Sequence, residues 1–148
     1  MSDSNIIKSF VTKQFLIEII TRDIQIMDAI LELVDNSLDR AISKHNVDIT
    51  KSLTEDYLIN ANGCGDITID LKISKETFCI EDNSGGISKN LMENEVFVFG
   101  NPKQNDYMGL SAFGIGMKRA FFKLGKWIEL RTKTEEDGEV GLIWDVED

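Results

Sequence analysis

The sequence predicts an α+β fold: a two-layer sandwich with helices packed on one face of a mostly antiparallel (mixed) sheet. The first observation is the order of the periodic segments, which runs helices, hairpin, loop, helix, hairpin. The second is the lack of repeated strand–helix–strand units, which a doubly wound sheet requires. The third is size, because 148 residues with 42% hydrophobic and 28% charged side chains suit one domain with a single core.

The N-terminal part of the chain predicts two helices. Apolar residues recur at helical spacing over residues 12–20 and again over residues 23–45. Thr21 and Asp23 both have side chains that cap helix N-termini, so either one is a candidate N-cap of the second helix. The polar stretch 46–65 follows and ends in glycine-rich turn chemistry, which is typical of a connector.

A hairpin is predicted next. Residues 67–73 alternate apolar and polar side chains, the pattern of a half-buried strand, and residues 77–81 form a second apolar strand. The short separation of the two strands favours an antiparallel hairpin. The turn Asp82–Gly86 closes it.

The C-terminal half combines a long irregular segment with a second hairpin. Residues 88–113 have no sustained period, apart from a short helical pattern near residues 89–96. Residues 115–124 predict a helix. Strands are predicted at residues 127–134 and 140–146, on either side of a turn rich in acidic residues.

The second helix carries a face of acid and amide side chains. At about 100° per residue, Asp35, Asn36 and Asp39 all fall within about 60° of Glu32. The apolar residues on the other side are predicted to enter the core: Ile24, Met27, Ile30, Leu31, Val34, Leu38 and Ala41. The acidic face is therefore either an ordinary solvated surface or one wall of a metal and nucleotide site.

The charge of the chain argues against two classes of partner. Sixteen basic and 26 acidic residues give a net charge of −10. A domain this acidic is a poor partner for nucleic acid or an anionic membrane, so direct binding to either is not expected. The N-terminus lacks the pattern of a signal peptide, and no apolar stretch approaches the roughly 20 residues that span a bilayer.

The two cysteines indicate no metal centre. Cys64 and Cys79 lie 15 positions apart, without a CxxC pattern or neighbouring histidines, which argues against zinc and supports no disulfide. Cys79 lies in an apolar run, which predicts a small buried hydrophobic residue. Free thiols fit a reducing compartment, so we expect a cytoplasmic protein.

A glycine-rich loop is the first candidate for nucleotide binding. Gly109 and Gly114 have the spacing of a Walker P-loop, but the lysine and hydroxyl of that motif do not follow. The third glycine of a dinucleotide fingerprint is also missing. What remains is a loop over residues 109–116 that runs into a helix start, where backbone N–H groups can hold phosphate and Lys118 could add charge. A flexible loop before a helix is the alternative.

The turn after the first hairpin is the second candidate. Asp82 is either a plain turn former or the acceptor of a hydrogen bond from an exocyclic amine. Gly85 and Gly86 would let a flat ring lie against the backbone. By itself, neither glycine segment decides between a structural and a binding role.

Taken together, three segments resemble the GHKL ATPase superfamily of gyrase-type topoisomerases, heat-shock chaperones, histidine kinases and MutL-type repair proteins. Glu32 to Asn36 resembles its first motif, E-x-x-x-N, and Asp82 to Gly86 resembles its second, D-x-G-x-G. Gly109 to Lys118 resembles the third, a glycine-rich phosphate loop that opens a helix. The resemblance spans about residues 22–146 and is closest to stand-alone prokaryotic chaperone-like or MORC-like ATPase domains. It implies a Bergerat-type ATP-binding fold.

The resemblance implies ATP and Mg²⁺ as cofactors and a role for each matching residue. Glu32 would be the general base that activates the attacking water, and Asn36 would bind Mg²⁺ through its side-chain oxygen. Asp82 would read the adenine amino group, and Gly86 would give the base room. The implied contacts to the nucleotide and its metal are Asn36, Asp39, Asp82, Gly86, Ile87, Gly109, Gly114, Ile115, Gly116 and Lys118.

The resemblance also implies how the chain is organised. Residues 1–148 would form one ATP-binding domain, with an N-terminal segment at 1–20 and an ATP lid at 88–113. Related proteins continue into a further strand near the adenine and a second domain that supplies Lys or Arg to the γ-phosphate. We therefore expect the N-terminal part of a longer protein, with ATP or ADP, an ATP-dependent homodimer and a missing C-terminal domain as partners. Ser84 stands where the second motif has its first glycine.

Three functions agree with these residues. The first is Mg-dependent ATP binding and slow hydrolysis, coupled to lid closure and to dimerisation or domain docking. The second is an ATP-binding regulatory module without turnover, which Ser84 and the short C-terminus favour. The third is a histidine-kinase-like core. It is less favoured because His45 has no phospho-acceptor helix around it and such cores usually lack an acid at the position of Glu32.

Overall fold

The computed structural model describes residues 11–45, 67–96 (without the Glu95 side chain) and 116–146. The helices are α1 (Lys13–Thr21), α2 (Ile26–Lys44), α3 (Lys89–Leu91), which a π-helical turn continues over Met92–Val96, and α4 (Gly116–Leu124). The strands are β1 (Ile69–Ile73), β2 (Phe78–Asp82), β3 (Trp127–Thr134) and β4 (Gly138–Asp145). The predicted α+β class is confirmed. The 46–65 connector and most of the 88–113 segment lie outside the described residues.

Helix α2 begins later than predicted, and neither candidate N-cap is used. Thr21 is the last residue of α1, and its hydroxyl donates to a carbonyl one turn earlier at 2.7 Å. Asp23 instead forms an exposed ion pair with its neighbour Arg22 at 3.2 Å. Gln25 is the N-cap, and its backbone N–H donates to the Asp28 carboxylate in the first turn at 3.1 Å. That bond satisfies one of the donors that a helix start leaves without an intrahelical partner.

The core lies between α2, α4 and the first hairpin. Its buried members are Ile24, Ala29, Leu33 and Ala120. Partly buried side chains pack against them: Phe78, Ile80, Met117, Phe121 and Leu124. Ala29 and Ala120 have no exposed surface at all, because small residues at facing positions let two helices approach closely.

The buried side of α2 agrees only in part with the prediction, since Ile24 and Ala41 are buried as expected. The buried residues recur every four positions and are Ala29, Leu33, Ser37 and Ala41. Of the residues predicted to enter the core, three are more than 40% exposed: Met27, Leu31 and Leu38. The close contact with α4 selects the side with small residues rather than the side with the most large apolar ones. Because Leu33 lies only about 100° around the helix from Glu32, the acidic face borders the core instead of opposing it.

Both predicted hairpins are antiparallel. In the first, Leu71 of β1 faces Ile80 of β2, and in the second, Ile128 of β3 faces Trp144 of β4. Trp144 packs edge-on against Phe122 of α4, with ring centroids 4.8 Å apart, and this contact fixes the second hairpin under the helix. Within the described ranges the hairpins form two separate two-stranded sheets rather than one.

Cys79 is exposed, which corrects the prediction of a buried thiol. Successive side chains of a strand point to opposite faces. Because Phe78 and Ile80 on β2 both pack towards the helical core, the residue between them points away from it. Among the described helices, none is long and apolar enough to cross a membrane.

Candidate functional site

The carboxylate of Glu32 lies directly against the first residue of α4. A β-carbon added to Gly116 would overlap the Cδ and Oε1 atoms of Glu32. Glycine is therefore required here for the close approach of a side chain to the helix start. The contact joins the first motif to the helix that the third motif opens. It also puts a carboxylate at the positive end of a helix dipole.

The surroundings of Glu32 raise the pKa of its carboxyl above the ordinary value. Burial is the main cause, because it disfavours the charged form. The neighbouring charges of Asp35 and Asp39 raise the pKa further, and the guanidinium of Arg119 opposes them. Arg119 is held in place by a hydrogen bond from its Nε to the Ile20 carbonyl at 2.7 Å. A raised pKa makes the Glu32 carboxylate a stronger base than a carboxylate in water.

Asn36 lies one turn after Glu32, and its orientation is set by the backbone. Its side-chain Nδ2 donates to the Glu32 carbonyl at 2.8 Å. With the nitrogen bound to the helix, Oδ1 is the atom that Asn36 can offer to a cation. A carboxamide oxygen is a ligand that Mg²⁺ accepts, together with waters and phosphate oxygens.

Asp82 at the end of β2 is linked to α2 and to its own turn. Its Oδ2 accepts a hydrogen bond from the hydroxyl of Ser37 at 2.9 Å. Its Oδ1 accepts from the backbone N–H of Ser84 at 2.9 Å and also from the Ser84 hydroxyl. Both serines are buried, with 6% and 2% of their surface exposed. Ser37 therefore joins the second motif to the same helix that carries Glu32 and Asn36.

The turn after Asp82 is fastened to β3. Gly86 has a φ of +71°, and a β-carbon on it would overlap the Lys133 carbonyl. The next residue, Ile87, donates its N–H to the Thr132 hydroxyl at 2.6 Å, and that hydroxyl lies 3.3 Å from the Ile87 carbonyl. On the other side, Arg40 donates its Nε to the Gly86 carbonyl at 3.1 Å. The close contact with β3 is enough to explain why position 86 is a glycine, and no ligand is needed to account for it.

Thr132 is expected to contribute to stability. Thr132→Val should lower the free energy of unfolding by about 0.5–1.5 kcal/mol, because the half-buried Ile87 N–H would lose its partner while the shape of the side chain is kept. Urea unfolding monitored by circular dichroism measures the change. Thr132→Ser keeps the hydroxyl and is the matched control, which should lose clearly less. An unchanged stability of Thr132→Val would show that the hydrogen bond to Ile87 contributes nothing measurable.

The other predicted contacts fall into three groups. Lys118 is only 2% exposed, and burial lowers the pKa of its ammonium, so this side chain lies within the protein and not on an open helix face. Asp39 is half-buried beside Glu32, whereas Asp35 is exposed, as expected of a surface residue. Gly109, Gly114 and Ile115 lie outside the described residues.

Three site residues were not predicted from the sequence: Ser37, Ser84 and Thr132. Ser37 could have been found, because it is the polar member of the buried residues at spacing four on α2. Ser84 is recognisable in the sequence only as a departure from the motif. Thr132 lies 45 residues from Ile87 in the chain, and no local pattern relates the two.

A family model described as histidine kinase-, DNA gyrase B- and HSP90-like ATPase matches residues 24–148, which includes all three motif regions. A search of curated proteins gave no match.

Proposed function

The chain belongs to the family of histidine kinase-, DNA gyrase B- and HSP90-like ATPases, and we propose that it binds ATP with Mg²⁺ and hydrolyses it slowly. The observation that carries the proposal is the contact of the Glu32 carboxylate with the N-terminus of α4. On α2, Asn36 lies one helical turn after Glu32, so the two side chains are close together. A base, a metal ligand and a helix start are the parts that phosphoryl transfer to water requires. ATP binding is the general property of the family.

The phosphates would bind at the N-terminus of α4. This helix has nine residues, and its first backbone N–H groups have no partner within the helix. Aligned peptide dipoles and these donors favour an anion there. The space that a side chain at position 116 would fill is taken by the Glu32 carboxylate, which puts the proposed base beside the phosphate site.

Asn36 would hold Mg²⁺ through Oδ1. The fit is chemical: one hard oxygen donor on a rigid helix suits a metal ion that keeps most of its waters and binds phosphate oxygens. When bound, the metal ion neutralises charge on the phosphates. Asn36 itself only orients its oxygen, through the 2.8 Å bond of its nitrogen to the Glu32 carbonyl.

Glu32 would act as the general base. It takes a proton from the attacking water while the water oxygen bonds to the γ-phosphorus and the bond to the bridging oxygen breaks. Its raised pKa favours this transfer. We expect a slow rate in isolation, because family members take a further cation from a second domain, and Arg119 is already bound to the Ile20 carbonyl. Lid closure, dimerisation or domain docking would then depend on whether ATP or ADP is bound.

A second candidate function is a nucleotide-binding module without turnover, which Ser84 in the second motif favours. It predicts the same binding and the same thermal stabilisation by ATP. It differs in that no phosphate is released. Phosphate release that depends on Glu32 would exclude it.

Calorimetric titration with Mg-ATP and ADP tests nucleotide binding. Asp82→Asn is expected to raise the Kd for ADP about tenfold or more, because an acceptor oxygen for the base amine is replaced by a donor. The asparagine keeps the size of the side chain, so the turn is disturbed little. Asp70→Ala removes an exposed carboxylate from β1 and should bind as the wild type does. If the wild type shows no binding of either nucleotide, the site has another function.

A further inference from the structure

We propose that Ser84 is a positioning residue that holds the Asp82 carboxylate ready for a nucleobase with an exocyclic amine. The inference rests on the proposed nucleotide binding and extends it to base selectivity. Position 84 departs from the second motif, because a serine stands where the motif has a glycine. In most turns such a hydroxyl would face solvent, whereas Ser84 is 2% exposed.

The Ser84 hydroxyl determines which oxygen of the Asp82 carboxylate is occupied by hydrogen bonds within the protein. Oδ1 of Asp82 accepts two hydrogen bonds from Ser84, one from its backbone N–H at 2.9 Å and one from its hydroxyl. A carboxylate oxygen accepts about two such bonds, so Oδ1 is fully used. A glycine at position 84 would supply the N–H bond alone. The carboxylate could then rotate more easily about its last torsion.

Oδ2 is left as the oxygen that can receive a ligand. It accepts one bond, from the Ser37 hydroxyl at 2.9 Å. The Leu33 carbonyl is the other acceptor near that hydroxyl, but it is farther away, at 3.3 Å. One acceptor site on Oδ2 is therefore still open. Asp82 is itself exposed, so a ligand can reach it.

This arrangement selects for a donor on the ligand. An ionised carboxylate only accepts hydrogen bonds, so a 6-amino group pairs with it and a 6-oxo group repels it. The better the carboxylate is held, the larger the difference between the two bases, because a mobile carboxylate can turn away from the oxo group. Ser84 would thus raise the preference for an aminopurine over a 6-oxopurine.

The test compares ADP, IDP and inorganic tripolyphosphate by calorimetry with the whole chain. IDP carries a 6-oxo group in place of the amine, and tripolyphosphate reports phosphate binding without a base. In Ser84→Ala and Ser84→Gly, the ratio of the ADP to the IDP affinity should fall about three- to tenfold, which is the effect of one hydrogen bond. Tripolyphosphate binding should stay as in the wild type. Ser43→Ala, which removes an exposed hydroxyl from α2, is the control and should change nothing.

The ratio separates positioning from a general loss of structure. Loosening of the turn would weaken ADP and IDP alike and leave their ratio unchanged, so an unchanged ratio overturns the role of Ser84. A wild type that binds ADP and IDP equally also overturns it, since Asp82 then reads no amine. A wild type that binds neither ADP nor tripolyphosphate instead removes the proposed function, and the role of Ser84 with it.

A measurement on the wild type keeps the test valid if both variants unfold. The backbone amide of Ser84 donates to the carboxylate that would meet the base. Its NMR resonance should shift with ADP and stay in place with tripolyphosphate. Equal shifts with the two ligands would mean that the phosphates, and not the base, act on this turn, and the proposal would fail.

Discussion

Glu32→Gln is expected to abolish ATP hydrolysis while ATP binding is kept. Glutamine has the same shape and still fills the space beside Gly116, but it cannot accept a proton at neutral pH. General-base catalysis contributes about 10²–10⁴-fold to a rate. A slow enzyme that loses this factor falls below detection in a phosphate-release assay. Calorimetry with Mg-ATP should give a Kd close to that of the wild type.

The same substitution should make the protein more stable. Burial and the charges of Asp35 and Asp39 raise the pKa of Glu32 in the folded state. For an acid, a raised folded pKa means stability that is present at low pH and lost as the pH rises through that pKa. Above that pKa the ionised carboxylate therefore destabilises the fold, and a neutral amide relieves the cost. A higher melting temperature with no turnover is the behaviour of a residue kept for function.

Asp35→Asn is the matched control for Glu32→Gln. It removes one negative charge from the same helix, at an exposed position three residues further along. Because the charge of Asp35 raises the pKa of Glu32, Asp35→Asn should slow hydrolysis slightly, and far less than Glu32→Gln does. If Glu32→Gln still releases phosphate at the wild-type rate, Glu32 is not the base. If both variants lose hydrolysis, the charge of the helix face matters and not the proton acceptor.

Secondary structure followed closely from local pattern. The predicted strand 127–134 and β3 have the same ends, and the predicted helix 115–124 and α4 differ by one residue. These segments have a clear period and are bounded by glycine. The start of α2 was misplaced because Thr21 and Asp23 are equally good caps by composition, and the choice depended on where α1 ends.

The orientation of elements did not follow from local pattern. The pattern of large apolar residues predicted the buried side of α2 only in part: Ile24 and Ala41 are buried as predicted, whereas Met27, Leu31 and Leu38 are exposed. The core beside α4 is instead built around the small residue Ala29 and Leu33. Cys79 was misplaced for a similar reason, because a continuous apolar run hides which face of a strand is inside. Both errors concern packing between segments far apart in the sequence.

The motifs of the candidate site can be recognised in the sequence, but the contacts between those motifs cannot. Glu32, Asn36 and Asp82 stand out in the sequence, and the family match covers the segments that contain them. The bond between Ser37 and Asp82 spans 45 residues, and the contact between Glu32 and Gly116 spans most of the domain. Such contacts depend on how α2 is rotated against its neighbours, which was the part of the fold that periodicity misjudged.

Gly116→Ala is expected to stop hydrolysis without unfolding the protein. The new β-carbon would occupy the place of the Glu32 carboxylate. That carboxylate is the end of a flexible side chain, so it can move aside at small cost to the fold. Alanine also favours the helix over glycine by up to about 1 kcal/mol, which offsets the cost. Hydrolysis should fall about 10²-fold, because a displacement of about 1 Å is enough to lose the attack geometry.

Gly141→Ala in β4 is the matched control, since its β-carbon would meet the nearest atom, the Leu130 carbonyl oxygen, at an ordinary 3.8 Å. It should keep both stability and turnover. Phosphate release and thermal melting are measured for both variants. Full turnover in Gly116→Ala would show that Glu32 works without its place beside α4, and the proposed geometry would be wrong.

The pair can be tested further by combining Gly116→Ala with Glu32→Ala. In the Glu32→Ala background there is no carboxylate for the new β-carbon to displace, so the effects of the two substitutions on stability should not be additive. Gly116→Ala should raise the melting temperature more there than in the wild type, because only the gain in helix propensity remains. The backbone N–H of residue 116 is retained throughout, so ATP affinity should stay nearly constant around the cycle. An equal change of melting temperature in both backgrounds would mean that the new β-carbon does not meet the Glu32 carboxylate, and the proposed contact between α2 and the start of α4 would be wrong.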